Sequence, residues 1–171
     1  MGSEETDTSV GQSVQARAID WSSVYARLGP VLLAYLRRLS RDSEAAEDML
    51  HETFARAIAA SRTPPEAELR PWLYRIASNL ATDRLRRSRL LRFVPFVGTE
   101  AASDAGTDEA EAVRAALRAI EPELAATLVL RLHEGFSRGE IALIRGVSER
   151  VVKSRLYEGR IAFERAYRGR A

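Results

Sequence analysis

The sequence predicts an all-α protein made of two small helical domains joined by a flexible acidic linker, the second domain containing a helix-turn-helix. Three observations predict it. Apolar side chains recur at helical spacing through both halves of the 171-residue chain, and almost nothing alternates with period two. Between Phe93 and Thr107, Pro95, Gly98 and Gly106 lie among small and acidic residues with no apolar period. Capping signals stand ahead of several of the apolar stripes. The resulting boundaries are a disordered extension over 1–19, a first domain over 20–92, a linker over 93–107 and a second domain over 108–171.

The first helix carries Trp21, Val24, Tyr25, Leu28, Leu32, Tyr35, Leu36 and Leu39 on one stripe. Asp42 or Ser43 can cap the second, where Glu44 suits the positive end of the helix dipole and Ala46, Met49, Leu50, Phe54 and Ala57 form the buried face. The segment SRTPPEAEL breaks that helix. Pro71 is tolerable in the first turn of a third, which buries Leu69, Trp72, Leu73, Ile76 and Leu80. Fifteen linker residues at up to ~3.5 Å each can hold two domains roughly 50 Å apart. Asp108 and Glu111 then read as a capping box ahead of Val113, Ala116, Leu117 and Ile120. Pro122 starts the next helix, with Leu124, Leu128 and Leu132 in line. Ser137 and Glu140 form a second capping box, a short helix runs to about Ile144, Arg145 to Val147 make a turn, and a last helix starts at Ser148.

Composition excludes several classes of function. There are no cysteines, so disulfides, thiolate metal sites and cysteine nucleophiles are excluded together. No stretch approaches the roughly 20 apolar residues that span a bilayer, and the acidic, polar opening MGSEETDTSV does not resemble a signal peptide, so a cytoplasmic protein is expected. His51 and Glu52 begin a zinc-protease pattern, but Ala55 stands where its second histidine is required. No phosphate-binding glycine loop is present. Neither a metal, a cofactor nor a small-molecule substrate is expected, and catalysis is not.

Charge distribution is more informative than the formal net charge of +2. Asp83 to Arg92 is strongly basic, whereas Gly98 to Ala112 contains five acids and no base. On the third helix Arg75, Asn79, Thr82, Arg86 and Arg89 share a donor-rich face, which fits phosphates and bases or an ordinary solvated surface. Glu140 to Leu156 has helix-turn-helix spacing: Ala142 at the helix crossing, Gly146 at the turn and Val152 packing back. Its second helix turns Arg150, Lys153, Ser154 and Tyr157 outward, with Arg155 beside them, so this element is either a duplex reader or a helical hairpin with a charged face. The acidic face Asp48, His51 and Glu52 fits a basic partner or water.

Three segments, AEDMLHETFARA (46–57), RPWLYRIASNLATDRLRR (70–87) and LVLRLHEGFSRGEIALIRGVSERVVKSRLYEGR (128–160), resemble successive signatures of the extracytoplasmic-function sigma factors of the sigma-70 family. The resemblance implies a binding protein that brings core RNA polymerase to promoter DNA and is itself held by an anti-sigma factor. It assigns Asp48, His51 and Glu52 to polymerase contacts. Residues 61–69 with Arg75, Asn79, Thr82 and Arg86 fall to the minus-ten element, where Arg89 continues the same face. Arg150, Lys153, Ser154, Arg155 and Tyr157 fall to the minus-thirty-five element. The chain departs from the family at Arg150 and Val151, where a glycine-threonine pair is usual, at Glu158, where a base is usual, and near Ala125 and Ala126, where an arginine is common. The rival readings are a stand-alone dimeric operator-binding regulator and a sigma-like decoy that only titrates an anti-sigma factor.

Overall fold

A computed structural model describes residues 19–40, 42–91 and 107–169, and among them the secondary structure is entirely helical. The helices are α1 (Trp21–Leu39), α2 (Ser43–Ala59), α3 (Glu66–Leu91), α4 (Asp108–Ala119), α5 (Pro122–Leu132), α6 (Arg138–Arg145) and α7 (Glu149–Arg168). The expected extension, apart from its last residue, and the expected linker, apart from Thr107, lie outside the described residues.

Local chemistry accounts for most boundaries. Asp20 caps α1 by accepting from the Ser22 and Ser23 amides, and Asp42 caps α2 through the Ala45 amide at 2.5 Å. Helix α3 starts at Glu66, earlier than Pro71 suggests: Glu66 and Glu68 sit in its positive first turn, and the Glu68 amide donates to the Pro65 carbonyl at 2.9 Å. Pro71 is therefore inside the helix, one turn past its start, where it forfeits one intrahelical hydrogen bond. The cap of α4 is Thr107, which accepts from the Ala110 amide at 3.3 Å, while Glu111 reaches forward to Arg114 and Arg118. The Ser137/Glu140 capping box forms in both directions, at 3.2 and 2.7 Å. Gly146 ends α6 with φ +63°, a left-handed conformation that a side chain would strain.

Helices α1 to α3 pack around Leu28, Leu32, Leu36, Met49, Leu50, Phe54, Leu69 and Leu73. Buried Tyr35 donates to or accepts from Ser78 at 2.7 Å, and burial pushes its phenol up to about 12. In the second half α7 lies across α4, α5 and α6. Gly159 allows the closest approach: a Cβ there would stand 3.1 Å from Leu128 Cγ, so a larger residue drives the two helices apart.

The two halves are in direct contact. Helix α3 packs on α5 and α6, α1 packs on α4 and α5, and a single apolar cluster runs through both halves. The turn after α5 inserts between them. Its Phe136, 1% exposed, meets the Tyr74 ring edge-on at 4.9 Å, and the Arg70 guanidinium lies 4.0 Å over the Phe136 ring. Burying one such ring is worth about 1.5–3 kcal/mol, and the cation contact adds to it. Around it Arg70 donates to the Glu134 carbonyl at 2.8 Å and the Tyr74 hydroxyl donates to the Glu134 carboxylate at 2.5 Å.

Candidate nucleic-acid interface

Three polar surfaces stand out, one on each of α2, α3 and α7. On α2 the structure leaves Asp48, His51 and Glu52 exposed along one side. Asp48 faces Arg84 of α3 at 3.8 Å and Glu52 pairs with Arg56 at 2.7 Å. Between α2 and α3 runs an open groove lined by Asp48, Glu52, Arg56, Leu80, Arg84 and Arg87. Both ion pairs are solvent-exposed and contribute little to stability, so these charges are available to a partner at small cost.

On α3 four of the five expected residues keep the expected side. Arg75 and Asn79 are exposed, Arg86 is half exposed and Arg89 is partly covered. Thr82 is not on this surface. It is 1% exposed, and its hydroxyl donates to the Ser78 carbonyl at 2.9 Å and the Asn79 carbonyl at 3.1 Å. A small hydroxyl satisfied by its own helix can be buried without losing a hydrogen bond, which is why a helical wheel misplaces it.

The α3 face is also engaged by the second half of the chain. Arg86 donates to Glu123 at 2.8 Å, and Asn79 accepts from Arg145 at 3.2 Å. Arg89 donates to Glu121 at 2.9 Å, to the Arg118 carbonyl at 3.2 Å and to the Ile120 carbonyl. Glu123 is the hub of this region, since Arg145 grips both its oxygens at 2.9 Å and Arg155 donates to it at 2.9 Å. Burial alone would raise the Glu123 carboxyl, but the Arg145 hydrogen bonds, with the charges of Arg145, Arg155 and Arg86, hold it below the usual carboxylate range.

On α7 Arg150, Lys153, Ser154 and Tyr157 are all exposed, with Tyr157 at 62%. Arg150 and Lys153 form no ion pair among the described residues. Glu158 accepts from the Ser154 hydroxyl at 2.6 Å, so one acceptor stands within an otherwise basic face. Arg155 leaves this group: it turns inward to Glu123 and its side chain is 23% exposed. The α6–α7 pair meets at the Gly146 turn, with the Val147 amide donating to the Ala142 carbonyl at 3.0 Å and Val152 fully buried behind it. That packing turns the α7 basic face outward.

Glu121, Glu123, Arg145 and the Tyr74–Glu134 pair were not legible in the sequence as contact-making positions. The Glu-Pro-Glu start of α5 signals a helix N-terminus, and nothing in spacing says that arginines from three helices converge on it. Among the described residues no group of three His, Asp or Glu side chains could hold a metal, and no helix is long and apolar enough to cross a membrane.

The Sigma-70 region 2 family model matches residues 24–90, and the Sigma-70 region 4 family model matches residues 110–163. The chain is 30% identical over 146 residues to the RNA polymerase sigma factor CarQ of Myxococcus xanthus, covering 81% of this chain and 84% of that one. It is 29% identical to the ECF RNA polymerase sigma factor SigL of Mycobacterium tuberculosis, over 86% of this chain and 89% of that one. The fold is similar to that of the sigma factor RpoE in its complex with the anti-sigma factor NepR from Bartonella quintana, with a TM-score of 0.71 and 23% identity over 87% of this chain and 97% of that chain. A second likeness, with TM-score 0.66 and 23% identity over 88% and 89% of the two chains, is to CnrH in complex with the cytosolic domain of CnrY. With both sigma regions matched in order and a relative of this identity spanned over most of its length, the chain belongs to the extracytoplasmic-function group of the sigma-70 family of RNA polymerase sigma factors.

Proposed function

We propose that this chain is an alternative sigma factor: it binds core RNA polymerase, selects promoters and starts transcription at them, acting in the cytoplasm by binding and without catalysis of its own. The observation that carries this is the ordered match of region 2 and region 4 on one chain in which α3 and α7 each present a donor-rich face. The division of labour follows from the chemistry of each face. Asp48, His51 and Glu52 meet polymerase. Arg75, Asn79, Arg86 and Arg89 engage the minus-ten element as it opens, the arginines neutralising phosphate and Asn79 offering both donor and acceptor to a base. Capturing an unstacked base must offset an unstacking cost of a few kcal/mol per step.

The α6–turn–α7 unit acts as the helix-turn-helix that reads the minus-thirty-five duplex, with Arg150, Lys153, Ser154 and Tyr157 toward the major groove. Arg155 aligns this helix through Glu123 instead of meeting DNA. Glu158 sits where phosphate approaches and weakens binding there. An anti-sigma factor is the natural antagonist of such a protein, as NepR is the anti-sigma factor bound to the structurally similar RpoE.

Gel filtration with purified core polymerase tests the reading. The chain should co-elute with core enzyme, and Asp48→Lys/Glu52→Lys should lose co-elution while keeping its helical circular dichroism. Retention of the complex by that variant would remove α2 from the polymerase interface, and tight binding of a palindromic duplex without polymerase would favour an operator-binding regulator.

A further inference from the structure

We infer that Glu158 is a base-reading acceptor that gives α7 a preference for one cytosine in the minus-thirty-five duplex. This rests on the reading of α7 as the duplex-reading helix. Glu158 interrupts the exposed basic face between Arg150 and Arg160. Arg155, three residues earlier, is a base within reach along the helix, but it turns inward to Glu123. No ion pair engages Glu158 among the described residues. Its carboxylate instead accepts from the Ser154 hydroxyl at 2.6 Å through one oxygen, which leaves the other oxygen free. The fold therefore orients this acid without neutralising it.

The direction of the carboxylate follows from the helix. Side chains of an α-helix lean toward its N-terminus, so Glu158 covers the turn that holds Ser154. Helical spacing sets Lys153 and Glu158 on opposite flanks of the face formed by Arg150, Ser154 and Tyr157. From a flank, a charged side chain can reach outward to a phosphate strand or inward to base edges, and the Ser154 hydrogen bond draws Glu158 inward. Gly159 fixes the rotation of the helix beneath it, because its backbone packs where a Cβ would stand 3.1 Å from Leu128 Cγ. The free Glu158 oxygen and the Ser154 hydroxyl oxygen thus offer two neighbouring acceptors. Guanine O6 and N7 and thymine O4 are acceptors themselves and are refused. Adenine sets its N7 acceptor beside its amino group, whereas cytosine presents its amino group alone, so cytosine is the base a carboxylate selects. Repulsion by phosphate acts on every sequence alike, but this hydrogen bond forms on one base. Glu158 therefore lowers affinity in general and raises discrimination at one position.

Holoenzyme assembled from core polymerase and the full chain tests this by selecting duplexes from a randomised pool, in parallel with Glu158→Gln, Glu158→Ala and Lys153→Ala. Position 158 is exposed, so its variants should keep the helical circular dichroism of the parent. The parent should enrich a cytosine at one upstream position. Glu158→Gln should admit adenine there, since an amide pairs with adenine N6 and N7, and Glu158→Ala should accept any base. On the selected duplex, that cytosine is then exchanged for a pyrimidinone nucleoside lacking the exocyclic amino group. The exchange should weaken binding of the parent holoenzyme roughly ten- to hundredfold and that of Glu158→Ala no more than about twofold. An unchanged cytosine preference in Glu158→Ala, a preference lost at a base other than cytosine, or binding tightened by the same factor on every sequence would each overturn the inference. If Lys153→Ala weakens upstream binding while the Glu158 variants keep the parent's preferences, α7 reads duplex and only the base contact is wrong. If the parent enriches no upstream sequence, the duplex-reading assignment fails and the inference falls with it.

Discussion

The polar faces of α3 and α7 are built from similar residues, yet they stand in opposite conditions. Arg86 and Arg89 of α3 are held by carboxylates and carbonyls of α4 and α5, whereas Arg150 and Lys153 of α7 face solvent. The difference comes from what lies behind each helix. Helix α7 is backed by its own half through Val152 and Gly159, so its outer face stays open. Helix α3 is sandwiched, with α1 and α2 on one side and α5 and α6 on the other. A basic face is thus either a ready surface or an occupied one depending on tertiary packing, which composition does not report.

The largest effect that separates the two faces is expected at α3. Arg86→Ala in the holoenzyme removes a charge-assisted contact worth about 1.5–3 kcal/mol, so promoter opening, read by permanganate reactivity, should fall roughly ten- to hundredfold. Co-elution with core polymerase should be retained. Unchanged reactivity would take α3 out of the promoter interface.

The next effect concerns the backing of α7. Gly159→Leu forces a side chain into Leu128 and Leu124, where overpacking costs about 1–3 kcal/mol, more than the roughly 0.5–1 kcal/mol that replacing glycine within a helix returns. The melting temperature should drop and upstream footprinting should weaken. A variant as stable as the parent would mean that α5 and α7 are not in this close contact.

On the open face of α7, Lys153→Ala should reduce the salt-dependence slope of upstream duplex binding by about one unit, as loss of one phosphate contact does. Glu158→Arg should work the other way, tightening binding and reducing selectivity, because it removes a like charge near phosphate and frees Ser154. If neither substitution moves the footprint, the α7 face is only solvated.

The smallest effect is pH-dependent and belongs to the occupied face. The Glu123 carboxyl is held below its ordinary value by its arginine partners, so its stabilising contribution is fully present above the unfolded carboxylate pKa of about 4.3 and is lost as pH falls through the lower folded value. Stability by denaturant titration should therefore be flat above about pH 5.5 and decline below it. Glu123→Gln should flatten part of that decline, and an identical acid profile in the variant would show that Glu123 is not a stabilising hub.

Most helices were legible because their determinants are local. Asp42, Ser137 and Gly146 act within a turn of their own position, and the stripe from Trp21 to Leu39 needs only its own periodicity. What was not legible depends on distant partners. Arg86 meets Glu123 across 37 positions and Tyr74 meets Glu134 across 60, and no spacing rule pairs them. Arg155 illustrates the limit within one helix: it follows Lys153 and Ser154 but points inward, because Glu123 rewards that rotamer with an ion pair. Thr82 fails differently, since its self-satisfied hydroxyl allows burial at a position the polar stripe marks as exposed.

The most direct test of the account is multi-round transcription by purified core RNA polymerase on a library of promoter fragments. Adding this chain should produce discrete transcripts from a subset of promoters that core enzyme alone does not use, and Arg86→Ala should reduce them while the complex with core persists. No promoter-dependent transcript, together with failure to co-elute with core polymerase, would contradict it.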